Sequence, residues 1–418
     1  MSRLVMMAAV LFLVAPARSR AEELPKAEPE AVGLSAEKLD ELKPALQKLV
    51  DEHKIPCAVA LIARHGKVAY VTCVGYRDLA NKVPVTEDTI FAIASMSKPI
   101  TCVAAMTLVE QARLGLDDPV EKYLPELKNL RVLGDAEEDS KEELATVPAK
   151  RPISVRDLFA HTSGFAYGFS MVGDTREKRM QRAYFRGGVT GGNAKTIAQQ
   201  VERLGKVPLA HQPGEGWTYG LSHDVLGRVI EVVSGQTFDQ FLQERIFKPL
   251  DMPDTSFLVP EAKRDRLATT YRAENGDALT PLPKNPGSAT FFPGGGGLYS
   301  TTRDYTRFAQ MLLNGGELDG ARILKPETIS LMTTNQIGDL SAFGGMKYGL
   351  GFGLVMGPET EAGKPVLSRY FWAGAYSTNF WVDPRHDLVA VLMTQVLPVN
   401  HGGAERLLGN TVEKAIEK

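Results

Sequence analysis

The sequence Phe91-Ala92-Ile93-Ala94-Ser95-Met96-Ser97-Lys98-Pro99-Ile100-Thr101 joins a Ser-x-x-Lys spacing to the opening of a helix. Ile100, Val103, Ala104, Met106 and Leu108 follow at helical spacing. Pro99 lacks an N–H and so belongs in the first turn, which starts the helix near Ser95. Residues three apart share a helix face, which brings the Lys98 amine to the Ser95 hydroxyl. The helix N-terminus favours negative charge developing beside it. A serine hydroxyl is a weak nucleophile until a neighbouring base takes its proton. A lysine whose pKa is lowered by burial is expected to be that base. Taken alone, the same residues serve equally well as a helix cap and a solvent-facing lysine. The chemistry therefore depends on partners elsewhere in the chain.

Upstream, Ser35 to Asp51 reads as one amphipathic helix, capped by Ser35 and buried along Leu39, Leu42, Leu46 and Leu49. Ala58 to Ala63 and Val68 to Thr72 read as two strands, with His65-Gly66 as their turn. Downstream come helical stretches. They include Ser154 to Phe159, Val225 to Val233, Phe238 to Ile246, Tyr305 to Leu313 and Pro326 to Met332. The acidic stretch Gly134 to Glu143 and the glycine-rich stretch Gly187 to Asn193 read as loops, the second as a mobile connection. Strands are expected again at Tyr348 to Val355, Arg369 to Trp372, Asn379 to Val382 and Leu388 to Thr394, with a last helix from Ala404 to Ile416. Strands near both ends and helices between predict an α+β fold. The two ends build one antiparallel sheet flanked by helices (about 22–110 and 295–418). A mainly helical domain is inserted (about 111–294).

The 418 residues are 44% hydrophobic and 23% charged, with a net charge of -2. That is a globular balance, long enough for one large or two medium domains. No long basic run marks a nucleic-acid partner or an anionic membrane surface. Arg3, the apolar run Leu4 to Val14 and the small residues up to Ala17 or Ala21 form a secretory signal pattern. Residues 1–21 are therefore expected to be removed and the mature protein to be exported, to the periplasm or beyond. The run is shorter than the roughly 20 apolar residues of a spanning helix, and no integral membrane segment is expected after it. Cys57, Cys73 and Cys102 lack metal-ligand spacing. An odd count leaves at least one thiol free or paired between molecules. Cys57 and Cys73 lie in the arms of the hairpin, where pairing is open; small buried apolar residues are the simpler reading.

Two further stretches answer the need for partners. Pro213-Gly214-Glu215-Gly216-Trp217-Thr218-Tyr219-Gly220-Leu221-Ser222 leads into a helix and places Tyr219 at its entrance. A tyrosine beside an ammonium can take or give a proton, although a packing aromatic fits the same pattern. Phe371-Trp372-Ala373-Gly374-Ala375-Tyr376 ends a strand. Gly374 lets a substrate approach the backbone, and the Ala375 N–H suits an oxyanion hole, although a buried strand with a packing Trp fits as well. No Gly-x-Ser-x-Gly or His-Glu-x-x-His occurs.

With these motifs in order, the chain resembles the class C β-lactamase-like serine hydrolases, which include β-lactamases, D-Ala-D-Ala peptidases, D-aminopeptidases and carboxylesterases. Supporting stretches are Leu158 to Gly164, Asp224 to Arg228, Pro293 to Leu298 and Trp381 to Pro384. The resemblance implies a β-lactamase/transpeptidase-like fold and an acyl-enzyme on Ser95. Lys98 and Tyr219 would share the proton transfers, and the N–H groups of Ser95 and Ala375 would hold the oxyanion. It implies no metal or organic cofactor, and a small-molecule ester, amide or lactam as substrate. Two positions depart from the β-lactamase pattern. Leu221 stands where Tyr-x-Asn has its asparagine, and Trp372-Ala373-Gly374 stands for Lys-Thr-Gly. Trp-x-Gly resembles the esterase branch, so ester hydrolysis is expected ahead of lactam or D-peptide hydrolysis. A catalytically silent penicillin-binding-like module is the alternative of another class. Oligomeric state is not legible.

Overall fold

Eight strands form one antiparallel sheet whose centre pairs the two ends of the chain. They are β1 (Cys57–Arg64), β2 (Lys67–Asp78), β3 (Val83–Pro84), β4 (Lys347–Tyr348), β5 (Gly353–Glu359), β6 (Pro365–Ala373), β7 (Asn379–Asp383) and β8 (Leu388–Met393). Their order is β4-β5-β6-β7-β8-β1-β2-β3. The structure is a computed structural model and describes residues 24–134, 145–168, 175–190, 194–274, 278–359 and 365–417. The signal pattern, the acidic stretch beyond Gly134 and residues 191–193 of the glycine-rich stretch lie outside these.

The helices are α1 (Ala36–Asp40), α2 (Leu42–Asp51), α3 (Ser97–Glu110), α4 (Val155–Ala160), α5 (Thr175–Arg186), α6 (Ile197–Leu204), α7 (Ser222–Ser234), α8 (Phe238–Leu242), α9 (Thr302–Leu313), α10 (Pro326–Met332) and α11 (Ala404–Ala415). The sheet is buried on both faces. On β1, Cys57, Val59 and Leu61 point to one core, while Ala58, Ala60 and Ile62 point to the other. β8 divides its residues the same way, as the two-residue period of a strand requires. The second core is closed by Leu39, Leu42 and Leu46 of α1 and α2 and by Leu408 and Val412 of α11. The first is larger and runs on through α3, α7 and α9. This is an α+β fold, with an antiparallel sheet covered by helices on both faces. No helix among the described residues is long and apolar enough to cross a membrane.

The elements depart from the sequence expectations at a few places. The helix read from Ser35 to Asp51 breaks at Glu41. Pro44 cannot donate to the carbonyl four residues back, so it starts a second helix instead. Ser35 does cap α1, accepting from the Lys38 N–H. The strand read from Tyr348 to Val355 is two arms, β4 and β5, joined by a turn. Gly351 takes φ +97 there, and a Cβ on it would lie 2.6 Å from Cys102 Sγ. Beyond Leu242 the helix after Phe238 widens into a π-turn, Gln243–Phe247. The three cysteines are free: Cys57 stands opposite Gly75 and Cys73 opposite Val59, so the two thiols do not face each other.

Candidate active site

A short 3-10 turn, Ala94–Met96, carries Ser95 into α3. Every residue of α3 from Ser97 to Leu108 is buried, so the helix runs through the middle of the molecule. Pro99 sits in its first turn, as expected. Two ties fix the turn. Tyr305 of α9 donates to the Met96 carbonyl at 2.8 Å. Ser97 Oγ donates to the Ala94 carbonyl at 2.7 Å and accepts from the Leu298 N–H at 3.1 Å. Ser95 itself is only half-buried.

Lys98 is fully buried and its three ammonium protons meet three acceptors. These are Ser95 Oγ at 3.1 Å, the Tyr167 hydroxyl at 2.7 Å and the Gly295 carbonyl at 2.5 Å. Its nitrogen also lies 4.6 Å from the centre of the Tyr219 ring. Burial pulls the Lys98 pKa down, but the phenol oxygens of Tyr167 and Tyr219 outweigh it and the net direction is up. Lys98, Ser95, Tyr167 and Tyr219 thus form one contiguous set. Burial pushes the Tyr167 pKa up as well, while Lys98 pulls it back.

Tyr167 was not singled out from the sequence. Glycines bring its segment to that of Tyr219. A Cβ on Gly220 would lie 2.2 Å from the Phe165 carbonyl oxygen and 2.6 Å from Ala166 Cα, so only glycine lets the two strands of chain pass. The two rings then meet at 5.4 Å, edge to face. Tyr219 stacks on Trp217 at 6.1 Å and packs against His161 at 5.0 Å and Trp372 at 5.5 Å. Trp372 Nε1 donates to the Tyr219 hydroxyl at 3.4 Å.

Behind these residues lies a buried polar layer. His161 takes φ 60 at the C-terminal cap of α4, and its ring packs 4.4 Å from that of His223. Burial, helped by the nearby Lys98 charge, holds His223 down at about 3. His161 is likewise held well below the ordinary histidine range. Asp224, one residue on, is pushed up to about 6 by burial, against the pull of Lys98 and of the Gly295 N–H. A Cβ on Gly295 would lie 2.5 Å from Asp224 Oδ2 and 3.4 Å from Lys98 Nζ, so the glycine loop runs between carboxylate and ammonium.

The third sequence motif closes the site. Trp372 and Ala373 end β6, and Gly374 begins a tight turn in which its N–H donates to the Thr378 carbonyl at 2.8 Å. A Cβ on Gly374 would lie 2.4 Å from the Ile93 carbonyl oxygen, so the glycine seats the strand end against the Ser95 turn. Ala375 is exposed at the turn. Leu221 is 8% exposed at the start of α7 and joins the apolar core. Thus Ser95, Lys98, Tyr219 and Trp372 come together, Gly374 buttresses them, and Leu221 is turned into the core. Ser163 and Ser222, the other serines near these motifs, are buried and bond to each other at 2.8 Å.

The chain as a whole is similar to known proteins. The family model described as Beta-lactamase matches residues 42–411. The chain belongs to that family. It is therefore a serine hydrolase of β-lactamase/transpeptidase-like fold. It is 37% identical to Protein Rv1367c of Mycobacterium tuberculosis, across 86% of this chain and 90% of that one. Esterase EstB of Burkholderia gladioli is 29% identical, across 88% of this chain and 93% of its own. Among solved structures, EstCE1, a hydrolase with promiscuous acyltransferase activity, superposes with a TM-score of 0.74 at 26% identity, over 90% of this chain and 98% of its own.

Within the family the missed residues have a signal in hindsight. Tyr167 follows three residues after Leu158 to Gly164, and Asp224 opens the stretch Asp224 to Arg228. Both stretches carried the resemblance without a role being read from them.

Proposed function

We propose that the chain is an exported carboxylesterase that acts on neutral acyl esters through an acyl-enzyme on Ser95. The observation that carries this reading is Trp372, 5% exposed with its N–H on the Tyr219 hydroxyl, at the position that the resemblance makes cationic in β-lactamases. An indole gives apolar area and one donor but no charge. A substrate carboxylate pressed against it would lose water and gain no counter-ion. A neutral ester loses nothing there. The similarity to esterase EstB supports the same choice.

The residues take the following roles in this reading. With Lys98 in its amine form, the Lys98–Tyr219 pair, with Tyr167 beside it, takes the Ser95 proton as Oγ attacks the ester carbon. The N–H groups of Ser95 and Ala375 hold the oxyanion, and Gly374 keeps them in register. The same pair then returns the proton to the leaving alkoxide, and water repeats the sequence in reverse. The similarity to EstCE1 supports an alcohol taking the place of that water. Export rests on the apolar run Leu4 to Val14 and its small-residue boundary. Intact mass of protein recovered outside the cytoplasm tests it, with a start at residue 18 or 22 expected.

The catalytic reading is tested with p-nitrophenyl acetate and butyrate beside nitrocefin. Turnover of the esters and little of nitrocefin is expected. A fluorophosphonate adduct should map to Ser95 and be lost in Ser95→Ala. Efficient nitrocefin hydrolysis with slow ester cleavage would restore the lactam alternative, and no adduct at all would leave a silent binding module.

A further inference from the structure

Resting on the ester reading above, we propose that Phe343, Trp217 and Tyr219 form a subsite for an aromatic alcohol, which competes with water for the acyl group on Ser95. Phe343 is 53% exposed, yet its ring packs edge-on against Trp217 at 4.9 Å and Tyr219 at 5.3 Å. It sits at the tip of a loop between α10 and β4. Gly344 and Gly345 take φ 62 and 82, and the Ala342 N–H donates to the Met346 carbonyl at 2.9 Å. The turn thus holds an apolar side chain out toward solvent, where it gains little for the fold, and places it against the tyrosine that handles protons.

Chemistry says which part of the substrate passes there. The group that protonates the leaving alkoxide in acylation deprotonates the incoming acceptor in deacylation. Leaving alcohol and acceptor therefore share the space beside the Tyr219 hydroxyl. Water gains nothing from aromatic edges. An aromatic alcohol gains burial and edge-to-face contact with Phe343 and Trp217. In the transfer step the alcohol oxygen attacks the acyl-Ser95 carbonyl carbon. The new C–O bond forms as the Ser95 Oγ–C bond breaks, and the alcohol proton passes through the Tyr219–Lys98 pair to Ser95 Oγ. No oxidant or reductant is involved.

The test gives the whole protein p-nitrophenyl butyrate as donor, with benzyl alcohol and ethanol at equal concentration. Benzyl butyrate, ethyl butyrate and butyrate are measured by gas chromatography. The wild-type protein is expected to form about tenfold or more benzyl over ethyl ester, within the reach of apolar discrimination. Phe343→Ala should lower that ratio about fivefold or more, and Phe343→Leu should recover part of it. A benzyl-to-ethyl ratio near one, or a ratio equal in wild type and both variants, overturns the subsite while leaving the ester reading intact. Failure to cleave the donor at all, with nitrocefin cleaved, overturns the ester reading itself.

Discussion

At the scale of single residues the site is governed by one buried lysine and what surrounds it. Lys98 touches Ser95 and Tyr167 and lies on the Tyr219 ring, so removing any member disturbs a shared proton set. Lys98→Ala and Tyr219→Phe are each expected to lower kcat by about 10²- to 10⁴-fold, the usual worth of general acid–base groups. The double variant should be little worse, because residues acting as a unit are not additive. Tyr167→Phe should cost less, about tenfold, since Lys98 keeps its bonds to Ser95 and Gly295. Steady-state kinetics on all four proteins checks this; multiplying losses would show separate roles. Asp224 gives a second prediction, with a sign. Burial raises its folded pKa from 3.8 to about 6. The fold therefore prefers the neutral acid. That preference is fully present below about pH 4 and is lost as pH rises through 6. Asp224→Asn, neutral at every pH, should match wild-type stability at pH 4 and exceed it at pH 7.5 by about 3 kcal/mol. Its activity should fall, because the carboxylate offsets the Lys98 charge. Urea unfolding at the two pH values decides it: equal stability at pH 7.5 would mean that Asp224 is not held as an acid.

At the scale of elements the site depends on how closely a strand end, a helix start and a glycine loop approach. Gly374 is one of these joints. A Cβ there would lie 2.2 Å from Thr378 Oγ1 and 2.4 Å from the Ile93 carbonyl oxygen. Gly374→Ala must therefore push the end of β6 away from the turn that carries Ser95. A misplacement of about 1 Å near reacting groups costs about 10²-fold in rate. The accompanying strain costs about 1–3 kcal/mol of stability. Both are expected, with kcat falling further than the amount of folded protein. Thr378→Ala combined with Gly374→Ala relieves one clash and should recover part of the stability but little of the rate, since the Ile93 backbone cannot yield. Circular dichroism melts and ester kinetics on the pair separate the two effects.

At the scale of the whole molecule the sheet is closed by residues far apart in sequence, with β1 of the first hairpin beside β8 near the C-terminus. That arrangement was legible from strands at both ends of the chain and helices between. So was the site's core, because Ser95 and Lys98 lie one helical turn apart and Tyr219 and Trp372 sit in segments of recognisable type. Tyr167 was not legible, because its approach to Lys98 depends on Gly220 letting two distant segments cross, which no local pattern encodes. The two-core plan carries a further consequence. Leu408 of α11 and Leu46 of α2 are fully buried in the second core, on the sheet face away from the core that α3 belongs to. Truncating either leaves a cavity that costs about 2–5 kcal/mol, a large part of a domain's stability of about 5–15 kcal/mol. Because the sheet stands between, the spacing of Ser95, Lys98 and Tyr219 should not change. Leu408→Ala and Leu46→Ala are therefore expected to lower the urea midpoint clearly while kcat per folded molecule stays within about twofold of wild type. A matching loss of kcat in fully folded samples would mean that the two cores are coupled through the sheet and that the second face also sets the geometry of the site.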